Sequence, residues 1–411
     1  MNTVPKSERK HIVFIGRRNA GKSSLVNAFS NQELSIVSNT PGTTTDPVKK
    51  AMELLPFGPV VLVDTAGVDD AGDLGEKRIN KTVKAISSAD FVIFVFDALH
   101  HLTEVERDYL KYLDKIQTPF ICVLNKTEIG VNRELIDELM AQNRKIFKVS
   151  CFDQSGITAL KDAVANLIPI EKELPLVSDL VKPGDIVVLV VPIDLGAPKG
   201  RLILPQVQTI REVLDEDAIV IVTKDKELAS TLQRLNEKPK LVITDSQAVM
   251  SVADIVPEDI KLTTFSILMA RYKGDLQEFV MGIKQIDKLE HGDKILISEA
   301  CTHHVQEDDI GRTKIPGWIK QYTQKDLNID IKSGRDFPAD LSDYKLIVHC
   351  GGCMLTKKEM QTRIKQAEFA AAPIVNYGLI ISYIHGAIPR ALEPFTEAIE
   401  YWNENEDKIP V

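Results

Sequence analysis

The stretch His11-Ile12-Val13-Phe14-Ile15-Gly16-Arg17-Arg18-Asn19-Ala20-Gly21-Lys22-Ser23-Ser24 decides the fold. It begins with a short apolar run of β-strand character and continues into residues 22–29, whose pattern is helical. Between strand and helix lies a loop of the form G-x-x-x-x-G-K-S, the spacing that wraps a phosphate chain. Backbone N–H groups around Gly16, Ala20, Gly21 and Ser24, together with the helix N-terminus, point at the anion. The Lys22 ammonium is placed to reach the β- and γ-phosphates, and the Ser23 hydroxyl to bind Mg²⁺.

Working outward, three further motifs follow in the order such a site requires. Pro41-Gly42-Thr43-Thr44-Thr45-Asp46 offers a threonine hydroxyl to Mg²⁺, with Thr44 the choice and Thr45 the alternative. Asp64-Thr65-Ala66-Gly67 follows a strand, so that Asp64 holds the magnesium shell and the Gly67 N–H senses the γ-phosphate. Asn125-Lys126-Thr127-Glu128 follows another strand and supplies a carboxylate for guanine N1 and N2, donors that adenine lacks. The last motif is Ser150-Cys151-Phe152, whose N–H groups suit guanine O6. A GTPase is the expectation, with Lys22, Asn19, Thr44 and Gly67 in the hydrolytic machinery. Val68 stands where a glutamine would orient the attacking water.

These motifs resemble the GTPase branch that contains the MnmE (TrmE) and Era families. That branch reads N-K-x-D at the base site, so Glu128 is a departure, as is the missing lysine after Cys151. The resemblance implies a K⁺ ion held partly by the loop asparagine, which Asn19 matches, and hence potassium-stimulated turnover. Small buried thiols beside strands are the reading for Cys122 and Cys151.

The rest of the chain bounds the answer. Its 411 residues exceed one ordinary core, and 44% hydrophobic with 27% charged residues is a globular composition. The net charge of −9 argues against a nucleic-acid partner. No apolar run approaches the roughly 20 residues that span a bilayer, and the N-terminus lacks a signal-peptide core, so a cytoplasmic protein without a membrane partner is expected. Predicted strands at 12–15, 60–63, 91–96, 120–124 and 146–149 alternate with helices, which means a parallel sheet covered on both faces. Residues 168–179 read as a linker. Two more α/β stretches follow, with strands at 185–191, 218–222 and 240–244, then at 294–298, 328–331, 345–348 and 373–376. The expected division is 1–172, 173–264 and 265–411.

Three of the five cysteines collect near the far end. Cys301-Thr302-His303-His304 and His349-Cys350-Gly351-Gly352-Cys353 each follow a predicted strand, so both deliver ligands where α/β sheets open a crevice. Residues from Thr356 onward look helical, and that helix N-terminus is expected to lower the thiol pKa values. Ligand count alone does not separate a Cys₃His zinc site from a [4Fe–4S] cluster with one non-cysteine ligand.

A GTPase of this branch joined to C-x-H…H-C-x-x-C resembles the [FeFe]-hydrogenase maturation GTPase family, HydF, over essentially the whole chain. The resemblance implies a [4Fe–4S] cluster on Cys301, Cys350 and Cys353, with His303 and His349 as the family's pattern histidines. The position left for a fourth ligand falls to His303, His304, His349 or a carboxylate of Glu307-Asp308-Asp309, Asp308 among them. It also implies a central dimerisation region and a homodimer. A diiron precursor would come from two radical-SAM maturases and pass to the apo-hydrogenase. The rival expectation is an RNA-related GTPase with a zinc-bound C-terminal part.

Overall fold

The computed structural model describes residues 9–30, 47–67, 81–168, 174–192, 202–300, 309–334, 337–338 and 340–404. The chain forms two compact units, 1–172 and 173–411.

The first unit is a six-stranded sheet in the order β2-β3-β1-β4-β5-β6. These strands are β1 Lys10–Gly16, β2 Val48–Leu54, β3 Gly58–Asp64, β4 Phe91–Asp97, β5 Phe120–Asn125 and β6 Ile146–Lys148. The inner strands are unbroken apolar runs because helices cover both faces, and all seven residues of β4 are buried. One departure from the expected all-parallel sheet is β2, which pairs antiparallel to β3. Its sequence, VKKAMEL, is an edge pattern with one face in solvent. Chain order reverses at β1, with β3 on one side and β4 on the other. The glycine loop after β1 therefore opens at the switch point, where doubly wound sheets bind ligands.

The second unit holds two parallel four-stranded sheets. The middle one runs β10-β9-β7-β8 and the last one β12-β11-β13-β14. The middle strands are β7 Ile186–Val190, β8 Ile219–Thr223, β9 Leu241–Thr244 and β10 Lys261–Thr264. The last four are β11 Lys294–Glu299, β12 Asn328–Ser333, β13 Tyr344–His349 and β14 Ile374–Asn376. A single apolar cluster joins both sheets: Val187 and Leu189 from the middle one, Ile295, Ile297 and Val348 from the last. The helix Phe265–Lys273 starts straight after β10, capped by Thr264, whose hydroxyl accepts from the Ile267 N–H at 3.2 Å. No linker separates the two sheets there, which is why they fold as one unit.

The expected linker at 168–179 is also partly core. Leu176 and Val177 are buried in the shared cluster, and the N–H groups of Val177 and Ser178 donate to Glu212 Oε1 at 3.0 and 2.9 Å. Its polar and proline content had masked two residues with a packing role.

Candidate functional site

The glycine loop is built by its backbone. Asn19 has φ 63 and is exposed, and Gly21 has φ 89. A Cβ on Gly21 would lie 2.1 Å from Asn125 Nδ2, so only glycine lets the loop pass the base-site strand. Lys22 is buried and donates to the carbonyls of Gly16 (2.8 Å) and Arg17 (2.7 Å). Ser23 Oγ donates to Asp64 Oδ2 at 2.6 Å.

The other carboxylate oxygen of Asp64 is buried without a hydrogen-bond donor among the described residues. Burial raises this carboxyl above its usual range, against the opposing pull of the Ser23 hydroxyl and the Lys22 charge. A buried acid with one orphaned oxygen and a hydroxyl beside it is a donor set that fits Mg²⁺. Thr65 Oγ1 donates to Phe14 O at 2.7 Å and ties the segment carrying Asp64 and the buried Gly67 to β1. Thr44 lies outside the described residues.

Asn125 braces the nucleotide end. Its Nδ2 donates to Ala20 O (3.0 Å) and its Oδ1 accepts from the Cys151 N–H (3.3 Å), so one amide joins three motifs. Lys126, at φ 68, pairs with Asp97 at 2.7 Å. Burial alone would raise Asp97, but hydrogen bonds from Lys126, the Leu99 N–H and His100 outweigh it and hold the carboxyl low. Ser150 Oγ accepts from the N–H groups of Phe152 (3.2 Å) and Asp153 (3.3 Å), which shapes the turn beside Cys151. Burial, with help from Glu128, pushes the Cys151 thiol up to about 12, and burial does the same to Cys122. Neither is a reactive thiol. Glu128 is exposed at the mouth of this region.

In the second unit β11 and β13 are adjacent and parallel, with Ser298 beside His349. Their carboxyl ends share one edge. The Ala300 N–H donates to Cys350 Sγ at 3.0 Å, bringing the chain that leaves β11 against the thiol loop that leaves β13. Gly352 has φ 63, a left-handed conformation that favours glycine in the C-x-x-C turn. Cys301, His303 and Asp308 lie outside the described residues. Among the described residues no group of three or more His, Cys, Asp or Glu side chains converges as a metal site. What is described fits thiolate ligation: two cysteines on one tight turn, one with a backbone N–H on its sulfur.

His349 is fully buried with both ring nitrogens engaged. Arg363 Nη1, which can only donate, lies 3.0 Å from Nε2, so Nε2 accepts and Nδ1–H donates to Cys350 O at 2.7 Å. Burial and the Arg363 charge drop its pKa to about 3, keeping the ring neutral. Of the expected candidates, His349 thus sits behind the thiols and orients their loop.

The expected lowering of the thiol pKa values is not what the loop does. Burial raises Cys350 to about 11, despite the Gly352 and Ala300 N–H groups, and raises Cys353 against the opposing Lys273 charge. The N-terminus of the helix Lys357–Phe369 is capped by its own Thr356, whose Oγ1 accepts from the Glu359 N–H at 3.1 Å. Burial is the largest influence on both thiols. Sequence reasoning had also missed Arg363 and Lys273, two buried basic residues with no motif around them.

The profile of the hydrogen maturase F dimerization domain matches residues 176–274, and that of the hydrogen maturase F tetramerization domain matches 277–394. Together they take in more than half the chain. It belongs to the hydrogen maturase F family. Ahead of the two hydrogen maturase F domains, residues 11–126 match a profile described as a 50S ribosome-binding GTPase.

Among curated relatives, the tRNA modification GTPase MnmE of Clostridioides difficile is 34% identical over 160 residues, 38% of this chain and 34% of that protein. The probable MnmE of Cyanidium caldarium is 35% identical over 171 residues, 40% of this chain and 37% of its own. The chain thus spans about a third of the length of the curated relatives it matches. Era of Aquifex aeolicus, solved with GDP and AlF₄⁻, is 20% identical with a TM-score of 0.37, covering 53% of this chain and 95% of that one. The N-terminal unit is a GTPase domain of the MnmE- and Era-like branch, and the maturase domains account for oligomerisation.

Proposed function

We propose that the chain hydrolyses GTP with Mg²⁺ and uses that cycle to gate a cluster carrier for [FeFe]-hydrogenase maturation. The observation that carries this reading is the joining of a complete phosphate loop to maturase domains whose parallel strands β11 and β13 bring Ala300 and Cys350 together at one sheet edge.

In the nucleotide site, Lys22 exchanges the Gly16 and Arg17 carbonyls for phosphate oxygens, while Ser23 and Asp64 exchange each other for Mg²⁺. In this reading Asn19, exposed on a left-handed turn, holds a K⁺ ion beside the phosphates, and Glu128 receives the guanine edge. An added cation there does what an arginine supplied in trans does, a contribution of about 10³–10⁵ in rate. In the second unit Cys301, Cys350 and Cys353 hold a [4Fe–4S] cluster, with His303, His304 or a carboxylate of Glu307-Asp308-Asp309 completing it. Such a cluster, with one exchangeable position, offers a dock for a diiron precursor. The partners in this reading are the radical-SAM maturases that supply it and the apo-hydrogenase that receives it. The maturase domains draw two or more copies together.

The test is anaerobic reconstitution with iron and sulfide, followed by absorbance, electron paramagnetic resonance and GTPase assays in K⁺ and Na⁺. Expected are a broad band near roughly 400 nm that is lost in Cys353→Ala, and faster turnover in K⁺. A colourless protein with tightly bound zinc would instead favour an RNA-related GTPase, a reading prompted by the MnmE relatives.

A further inference from the structure

Behind the Cys350–Cys353 turn stand two buried basic side chains on different helices. Lys273, at the end of the helix Phe265–Lys273, is 1% exposed and donates to Cys353 O (3.1 Å) and Leu355 O (2.9 Å). Arg363, inside the helix Lys357–Phe369, is 4% exposed and spreads its fork over three strand ends. It donates to Ser298 Oγ of β11 (3.3 Å), to His349 Nε2 of β13 (3.0 Å) and to Gly334 O after β12 (3.2 Å). It also forms an ion pair with Glu359 at 3.7 Å, which offsets part of its charge, and packs over the Phe337 ring at 5.0 Å. Through His349 it reaches the carbonyl of Cys350. Each cysteine of the turn is thus held by its own carbonyl, one directly from Lys273 and the other by relay from Arg363.

Hydrogen bonding alone does not require this choice of residues. Neutral donors would satisfy the same carbonyls, and burying an ammonium or a guanidinium costs several kcal/mol before its partners are counted. A positive charge is useful where negative charge gathers. A [4Fe–4S] core on three thiolates is an anion, and one-electron reduction adds a further negative charge. Its potential responds to nearby charge and to hydrogen bonding.

We infer that Lys273 and Arg363 are the positioning residues of the thiolate turn and supply the positive charge that stabilises the reduced, more anionic cluster. This rests on the reading that the turn holds an iron–sulfur cluster. The partners named above all lie in the second unit, and GTP turnover serves as the control.

The experiment uses the full chain, reconstituted with ferrous iron and sulfide, and follows the cluster signal in a redox titration by electron paramagnetic resonance. Wild type is compared with Lys273→Gln, Arg363→Gln and Arg363→Lys, each checked for circular dichroism and GTPase turnover. Glutamine keeps a donor and removes the charge, whereas lysine keeps the charge and loses the fork. Expected is a lower midpoint potential in both glutamine variants, by about tenfold in the reduction equilibrium or about 59 mV for one electron. Arg363→Lys recovers most of that shift. Unchanged potentials in the glutamine variants, or an Arg363→Lys potential as low as that of Arg363→Gln, overturn the inference. Should the glutamine variants take up little iron, uptake restored in Arg363→Lys supports the charge requirement and uptake still absent overturns it. A wild-type chain that takes up no cluster overturns the reading of the site itself, which separates the two failures.

Discussion

Asp64 illustrates how a binding residue is held at a cost to the fold. It is 1% exposed, one oxygen meets Ser23, and burial raises its carboxyl above the usual range. A carboxyl raised on folding stabilises the native state at pH below its unfolded value, and that contribution is lost as pH rises through the folded value. In metal-free protein, then, Asp64→Asn is expected to raise stability near neutral pH by about 1 kcal/mol, since a neutral amide is cheaper to bury than a carboxylate. The pH dependence attributable to Asp64 disappears in the variant. With Mg²⁺ and GTP the order is expected to reverse, since the proposed role of the ionised oxygen is to hold the metal, and nucleotide affinity falls at least tenfold. Calorimetry across pH, with and without Mg²⁺, reads both; a variant less stable than wild type without metal would sink the argument. At this scale the sequence named by motif the residues that gather where β1, β3 and β5 end: Lys22 and Ser23 at the start of the helix Lys22–Ser30, Asp64 and Asn125 at the last positions of their strands. It was silent on Arg363 and Lys273, whose importance comes only from what tertiary packing sets against them.

At the level of elements, the middle sheet has two unlike edges. On one side β10 is buried at Leu262, Thr263 and Thr264, while on the other Ile219 and Val222 of β8 are 50% and 47% exposed. Beside them, Val207 and Leu214 of the helix Leu204–Asp215 are also exposed. Among the described residues β8 pairs with a strand on one side only, an apolar edge of that kind invites another strand, and β8 falls within the matched dimerization domain. Replacing both Ile219 and Val222 by lysine is expected to weaken self-association at least tenfold, about 1.4 kcal/mol, without loss of secondary structure. Sedimentation velocity over a concentration series checks this, and an unaltered association constant would move the interface elsewhere. Most strands were legible here because buried parallel strands are apolar and β-branched. The short β10 and the polar β2 were not, since a four-residue strand and an edge strand lack that signature. The effect of the helix after Thr356 on the thiols was misjudged for a related reason: a dipole can be read from sequence, but the burial that raises both thiols cannot.

For the whole molecule, the telling feature is where the cores lie. The first unit packs two apolar clusters, one on each face of its sheet. The second unit encloses a single large cluster across two sheets, with a smaller one on the far face of the middle sheet. Three sets of strands were readable in the sequence, but the sharing of one core by the last two was not. It depends on one apolar cluster whose members come from positions as distant in sequence as Leu176 and Trp402. Separate cores imply separate unfolding transitions. A non-hydrolysable GTP analogue with Mg²⁺ at 100 times its Kd adds about 2.7 kcal/mol to the unit that binds it. For a unit of this size that is a rise of about 5–10 °C in one transition. Cys353→Ala should leave that transition alone and change only the other, and only after cluster reconstitution. Differential scanning calorimetry of the four combinations, with and without analogue and cluster, measures the coupling directly. If the analogue moves both transitions together, nucleotide state reaches the cluster unit through the fold itself. If it moves one, the gating proposed for hydrolysis has to operate through the partners that bind both units.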